Sequence, residues 1–206
     1  AYKEENLKHR FFKAVKKDDG DAIRLLSDLG VDVEQETAGH PAIVLASYLG
    51  NVHAVDAILD SGSVDVNVTN SFQQSALTVA AAENHESVVQ RLLLVPEIKP
   101  NELDGYKLNA LAHAVRKGNV NIVRMLLNHR AIDANATFSA KHAGSSQRCL
   151  PQEQTALIIA VLNKNVDVVK EFLRHENVDV NKGDHIGVTP LMYAVWHNNV
   201  TIVDLL

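Results

Sequence analysis

The strongest constraint in this sequence is that it repeats itself. Placed in one column, Ala14, Ala46, Ala80, Ala114, Ala160 and Ala194 are separated by 32, 34, 34, 46 and 34 residues. Three residues before each alanine stand Phe11, Ile43, Leu77, Leu111, Leu157 and Leu191. Nine after stand Ile23, Val55, Val89, Val123, Val169 and Val203, and twelve after stand Leu26, Ile58, Leu92, Leu126, Phe172 and Leu206. Apolar residues three apart share one face of a helix, so each copy encodes two short amphipathic helices. Neither helix is long enough to be stable alone, and stacking one copy on the next is what buries their apolar faces.

The punctuation agrees. Ser75, Asn109, Thr155 and Thr189 precede the first helix of their copies, where a side-chain oxygen caps the opening amides, and Pro190 suits a first helical position that needs no N–H. Gly50, Asn84, Gly118 and Asn198 fall where a left-handed residue would end that helix. Of 206 residues 46% are apolar but only 5% aromatic, so the columns are filled by aliphatic side chains, in number enough for a real core.

The last copy, Asn181-Lys-Gly-Asp-His-Ile-Gly-Val-Thr-Pro-Leu-Met-Tyr-Ala-Val, resembles the ankyrin repeat, whose pattern runs Asn-x-x-Asp-x-x-Gly-x-Thr-Pro-Leu-His-x-Ala with a period of about 33. Val64-Asp-Val-Asn67 and Val178-Asp-Val-Asn181 are similar to the family's Ala-Asp-Val-Asn connector, and Asp133-Ala-Asn135 is a shorter version. Val44, Thr78, Ala112, Ile158 and Met192 stand where the family has a helix histidine, and Pro41 where it has a capping threonine. The resemblance covers nearly the whole chain. It implies an all-α fold, an ankyrin-repeat solenoid of stacked helix-turn-helix units with hairpin fingers. The expected organisation is one domain over 1–206, with repeats near 6–33, 34–67, 68–101, 102–135, 136–181 and 182–206, the last cut short.

By the same resemblance, a partner protein is expected on a concave side, at the variable finger positions and at the two residues after the helix alanines. These are Lys16 and Lys17 in the first copy, and Ala38, His40, Tyr48 and Leu49 in the second. The third supplies Ser71, Phe72, Gln74, Ala82 and Glu83, and the fourth Gly105, Tyr106, Leu108, Arg116 and Lys117. Leu162 and Asn163 follow in the fifth, and His185, Ile186, Val188, Trp196 and His197 in the sixth. Tyr48, Phe72, Tyr106 and Trp196 occupy positions that repeat packing does not require, and exposed aromatics are typical interface anchors. With them, Leu108, Arg116, Lys117, His185, Ile186 and His197 form the expected partner surface. Lys16, Lys17, Arg116 and Lys117 face only Glu83 on a chain of net charge −5, which suits a partner with an acidic, apolar segment.

The 46-residue interval places about twelve extra residues in the fifth finger, within 136–154. This polar stretch reads as an extended hairpin or loop, and its Phe138 and Arg148 join the expected partner residues. Cys149 and His142 lie in it, but a cysteine nucleophile needs a base held within hydrogen-bond reach, and a Ser-rich loop holds none. No catalytic residue is therefore expected. The ten histidines are scattered without ligand spacing, and Gly-rich phosphate loops, His-Glu-x-x-His and Cys-x-x-Cys are absent, so neither a metal nor a cofactor is expected. The sequons at Asn67, Asn135 and Asn199 coincide with repeat positions. By resemblance, Leu59 to Asn67 and Leu173 to Asn181 match the stretch that asparagine hydroxylases accept, which makes Asn67 and Asn181 candidate modification sites.

Bulk charge argues against nucleic acid as a partner, since phosphate binding is driven by a basic surplus. No apolar run reaches the eighteen residues of a membrane span, the opening residues lack an apolar signal segment, and a lone Cys149 favours a reducing compartment. A cytoplasmic monomer is expected. Leu206 belongs to a core column and lacks the polar coat that Lys3, Glu4, Glu5 and Lys8 give the first copy, so the natural protein is expected to continue. The function expected is a protein–protein interaction scaffold. The alternative is the substrate-recruiting module of a larger enzyme, or of an effector that an intracellular bacterium delivers into the host cytosol, to which the irregular copies and long finger look similar.

Overall fold

The computed structural model describes residues 2–37, 39–62, 64–140 and 152–206. The chain divides into two compact units, Ala1–Lys99 and Pro100–Leu206. In the first unit the leading helix of each copy is α1 (Tyr2–Lys16), α3 (Ala42–Leu49) or α5 (Ala76–Glu83), and the second is α2 (Gly20–Asp28), α4 (Val52–Asp60) or α6 (Glu86–Leu92). Leading helices pack in series, α1 on α3 on α5, and second helices likewise, α2 on α4 on α6. The second unit repeats this plan. Its leading helices are α7 (Ala110–Lys117), α9 (Ala156–Leu162) and α11 (Pro190–Trp196), backed by α8 (Val120–Leu127), α10 (Val166–Leu173) and α12 (Val200–Val203).

The four apolar columns are the core. Apart from Ala14, the aligned alanines are fully buried, which lets neighbouring leading helices approach closely. Ile23, Val55, Val89, Val123 and Val169 are also fully buried, as are Ile58, Leu92, Leu126 and Phe172. Burying one such side chain contributes roughly 1.5–3 kcal/mol, and helices of seven to nine residues depend on that term. In the sixth copy the columns loosen, and Leu191 is 41% exposed.

Helix ends follow the predicted signals. Ser75, Asn109, Thr155 and Thr189 each accept a hydrogen bond from the amide three residues on, and Pro190 opens α11. Gly50, Asn84 and Gly118 close their helices in the left-handed region, and Asn198 also has positive φ. Gly50 is needed twice over, because a Cβ there would meet the His85 ring at 2.5 Å. The second helices carry caps as well, from Asp19, Asn119, Asn165 and Asn199. Pro41 opens α3 with no side-chain cap.

The connectors are tied by asparagines. Asn67 donates its amide to the Glu97 carbonyl at 2.9 Å and accepts from the Lys99 N–H at 2.9 Å. Within the second unit Asn101 does the same to Ala131 and Asp133, and Asn135 to Asn177 and Asp179, at 2.6–2.8 Å. Fingers are short. The second copy has β1 (Glu36–Thr37) antiparallel to β2 (His40–Pro41). The fifth is the expected hairpin, β3 (Thr137–Ala140) against β4 (Gln152–Thr155), with Thr137 opposite Thr155 and Ala140 opposite Gln152.

Candidate partner-binding surface

Three finger tips, in the third, fourth and sixth copies, are each built by a single polar side chain at the base. In the third copy Asn70 Oδ1 accepts the N–H groups of Phe72 and Gln74 at 2.9 and 3.0 Å, and Gln73 turns through the left-handed region. In the fourth, Asp104 Oδ1 accepts from Tyr106 and Leu108 at 2.9 and 3.0 Å, with Lys107 at positive φ. In the sixth, Asp184 Oδ1 accepts from Ile186 and Val188 at 3.1 and 2.9 Å, with Gly187 at positive φ. The residue two after the anchor is thereby pushed out. Phe72, Tyr106 and Ile186 are 54%, 62% and 67% exposed.

The two aspartates also reach the leading helix. Asp104 Oδ2 accepts from His113 Nε2–H at 2.8 Å, and Asp184 Oδ2 from the Tyr193 hydroxyl at 2.8 Å. Burial alone would push the Asp104 carboxyl up. The hydrogen bonds from His113, Leu108 and Tyr106 outweigh it and hold the carboxyl below the ordinary aspartate range. Asp184 behaves alike, its burial outweighed by the bonds from Val188, Tyr193 and Ile186. The Tyr193 phenol is raised, first by burial and then by its bond to Asp184, against a hydrogen bond with Gln154.

At the ends of the leading helices stand the other expected residues. In the first unit Tyr48 is 52% exposed, and its carbonyl accepts from His85 Nε2–H at 2.9 Å. In the second unit Trp196 is, among the described residues, the most exposed large apolar one, and Arg116, Lys117, His185 and His197 are exposed. Two expectations are corrected. Leu108 and Phe138 are 2% and 1% exposed and serve as packing rather than as partner contacts. Leu108 follows the tip, where the chain turns down to the Asn109 cap, and Phe138 sits on the buried face of its hairpin opposite buried Gln154. Arg148 lies outside the described residues, as do Cys149 and His142. The candidate modification sites differ: Asn67 is half-buried with both amide atoms bonded, while Asn181 is exposed and its amide has no partner among the described residues.

The finger anchors were not among the expected functional residues. Their signal was available, since Asn70 and Asp104 are 34 residues apart, one repeat interval. Among the described residues no group of three His, Cys, Asp or Glu could hold a metal ion. No helix among the described residues is long and apolar enough to cross a membrane.

Stacked two-helix copies with finger tips and connector-tying asparagines define a repeat-stack protein. The family model for ankyrin repeats, three copies long, matches residues 11–104, 43–138 and 137–206. The chain belongs to the ankyrin-repeat family, whose repeats generally mediate protein–protein interactions. It is 33% identical over 147 residues to the B-cell lymphoma 3 protein homolog of Mus musculus, covering 66% of this chain and 32% of that protein. It is 28% identical over 133 residues to the ankyrin repeat protein YahD of Escherichia coli, covering 64% and 65%. The fold matches the crystal structure of the ankyrin repeat domain of Bcl-3 with a TM-score of 0.82 at 20% identity, over 94% of this chain and 82% of that one.

Proposed function

We propose that the chain is a protein-interaction scaffold that holds a partner protein by apolar residues on its finger tips and on the ends of its leading helices. The observation that carries this is the shared register of Phe72, Tyr106 and Ile186. Each stands two residues after a buried Asn or Asp anchor and is more than half exposed. Large apolar side chains held out on rigid turns lose little entropy on binding, which is the profile of an interface anchor. Tyr48 and Trp196 add to this on their own units, and Arg116 and Lys117 suit acidic neighbours on the partner.

The test is capture of partners from a cytosolic extract by wild type and by Tyr106→Ala/Trp196→Ala, read by mass spectrometry and followed by titration of the captured protein. The double variant is expected to lose about 1–4 kcal/mol of binding with unchanged thermal unfolding. Equal capture of every partner by the two forms would overturn the proposal.

A further inference from the structure

We infer that the first copy carries a separate binding site, a lysine-lined cleft along α1 that takes an acidic peptide segment in extended conformation. This rests on the chain being a protein-interaction module; of its residues only Lys16 and Lys17 are among the partner positions expected from the sequence, and none belongs to the proposed function above. The cleft has a volume of about 450 Å³ and runs from Glu5 to Lys17, with Thr37 of β1 on its far wall. Its α1 lining is Glu5, Lys8, His9, Phe12, Lys13 and Lys16, two interleaved rows (5, 8, 12, 16 and 5, 9, 13, 16) of three- and four-residue steps that form one stripe of the helix.

Four lysines against one glutamate make the cleft locally cationic on a chain whose net charge is −5. Lys8, Lys13, Lys16 and Lys17 are all exposed, and among the described residues none is in an ion pair. Lys13 lies three and four residues from Lys16 and Lys17, so the cluster repels itself along the helix surface. The negative C-terminal end of α1 favours Lys13 and Lys16, but Lys8 sits mid-helix and gains nothing from it. What unites all four is the shared cleft.

The dimensions and lining select the ligand. The twelve helical residues from Glu5 to Lys16 span about 18 Å, the length of five or six extended residues. Phe12 lines the cleft with only 6% of its surface exposed, which leaves an apolar floor but no ring face for a base to stack on. Glu5 at one end repels a run of carboxylates and so fixes where the acidic stretch must stop. An alternating acidic and apolar peptide meets all three conditions, and a phosphodiester chain does not.

The experiment uses the whole chain and the fluorescein-labelled peptide Asp-Leu-Glu-Leu-Asp-Leu, which alternates acidic and apolar residues and ends on an apolar one, followed by fluorescence anisotropy. The peptide is expected to bind, and to be released as salt rises from about 0.1 M to about 1 M and the screening length falls from about 10 to about 3 Å. Lys8→Gln/Lys17→Gln should weaken binding about fivefold to tenfold, while Lys8→Arg/Lys17→Arg and the remote Arg130→Gln/Lys170→Gln retain it. Should the glutamine variant melt early, wild type decides alone, since a peptide with lysine at every acidic position must fail to bind. Affinity that ignores Lys8 and Lys17, binding of the lysine peptide, or tighter binding of an oligothymidylate of equal charge through the same two lysines would overturn the cleft. None of those outcomes touches Tyr106 and Trp196, whose own capture experiment stands or falls independently.

Discussion

In the third copy the finger turn closes on Asn70, whereas in the fourth and sixth it closes on Asp104 and Asp184. The three turns have the same register and each holds one large apolar residue outward. They differ in what the anchor's other atom does. Asn70 Nδ2 donates to Gln74 Oε1 at 3.2 Å, inside its own turn, while each aspartate uses its second oxygen on the residue nine positions later in the leading helix. Nine after Asn70 stands Val79, which has no group to offer. The anchor of the tip bearing Phe72 thus bonds within its own turn, and the tip's further tie is the Ser71 N–H, which donates to the Gly39 carbonyl of the preceding finger. The tips bearing Tyr106 and Ile186 are locked to the helix behind them. A shared backbone shape conceals two chemistries, only one of which depends on charge.

The most severe way to break the comparison is Asp104→Ala. It leaves the amides of Tyr106 and Leu108 and the His113 Nε2–H without their acceptor at a fully buried site, and should cost about 3 kcal/mol in urea unfolding. Tyr193→Phe removes the helix tie of the sixth finger together with the hydrogen bond to Gln154 and should cost about 1 kcal/mol, leaving the turn itself intact. Acid sharpens the same contrast. Because both aspartates are held below their ordinary value, their contribution is complete above about pH 4 and is lost as pH falls through the lower folded values. Unfolding measured between about pH 4 and pH 2.5 should therefore flatten in Asp104→Asn/Asp184→Asn relative to wild type. The smallest effect belongs to Asn70→Asp, which should cost about 0.5 kcal/mol at neutral pH, because a carboxylate accepts the same two amides but loses the donor to Gln74 and gains no helix partner from Val79.

Legible in the sequence were the two helices per copy, their caps and left-handed stops, and the exposed places of Tyr48, Phe72, Tyr106, Ile186 and Trp196. All of these are periodic, and periodicity is what a single chain displays. Leu108 and Phe138 were misplaced because a variable position need not be an exposed one. Whether such a side chain turns inward depends on the descent from the tip and on strand alternation. The anchors do form a column, but the helix tie of the two aspartates was not legible, since its partner nine residues away changes from His113 to Tyr193. Lys8 and Lys13 of the α1 cleft lie before the first aligned alanine, outside the register that pointed to Lys16 and Lys17. The division at Lys99 and Pro100 was not legible either, because the columns run across it without a change in composition.

The asparagine ties carry one more consequence. Asn67 and Asn101 reach 30 to 32 residues ahead, but Asn135 reaches 42 and 44 residues ahead and makes the same pair of bonds. The tie therefore keeps one geometry over unequal stretches of chain. The hairpin stem, paired from Thr137–Thr155 to Ala140–Gln152, lies within the longer stretch. Spacing along the sequence and spacing in the stack are thus uncoupled in this fold, and the asparagine rather than the length of the finger sets where the next connector falls.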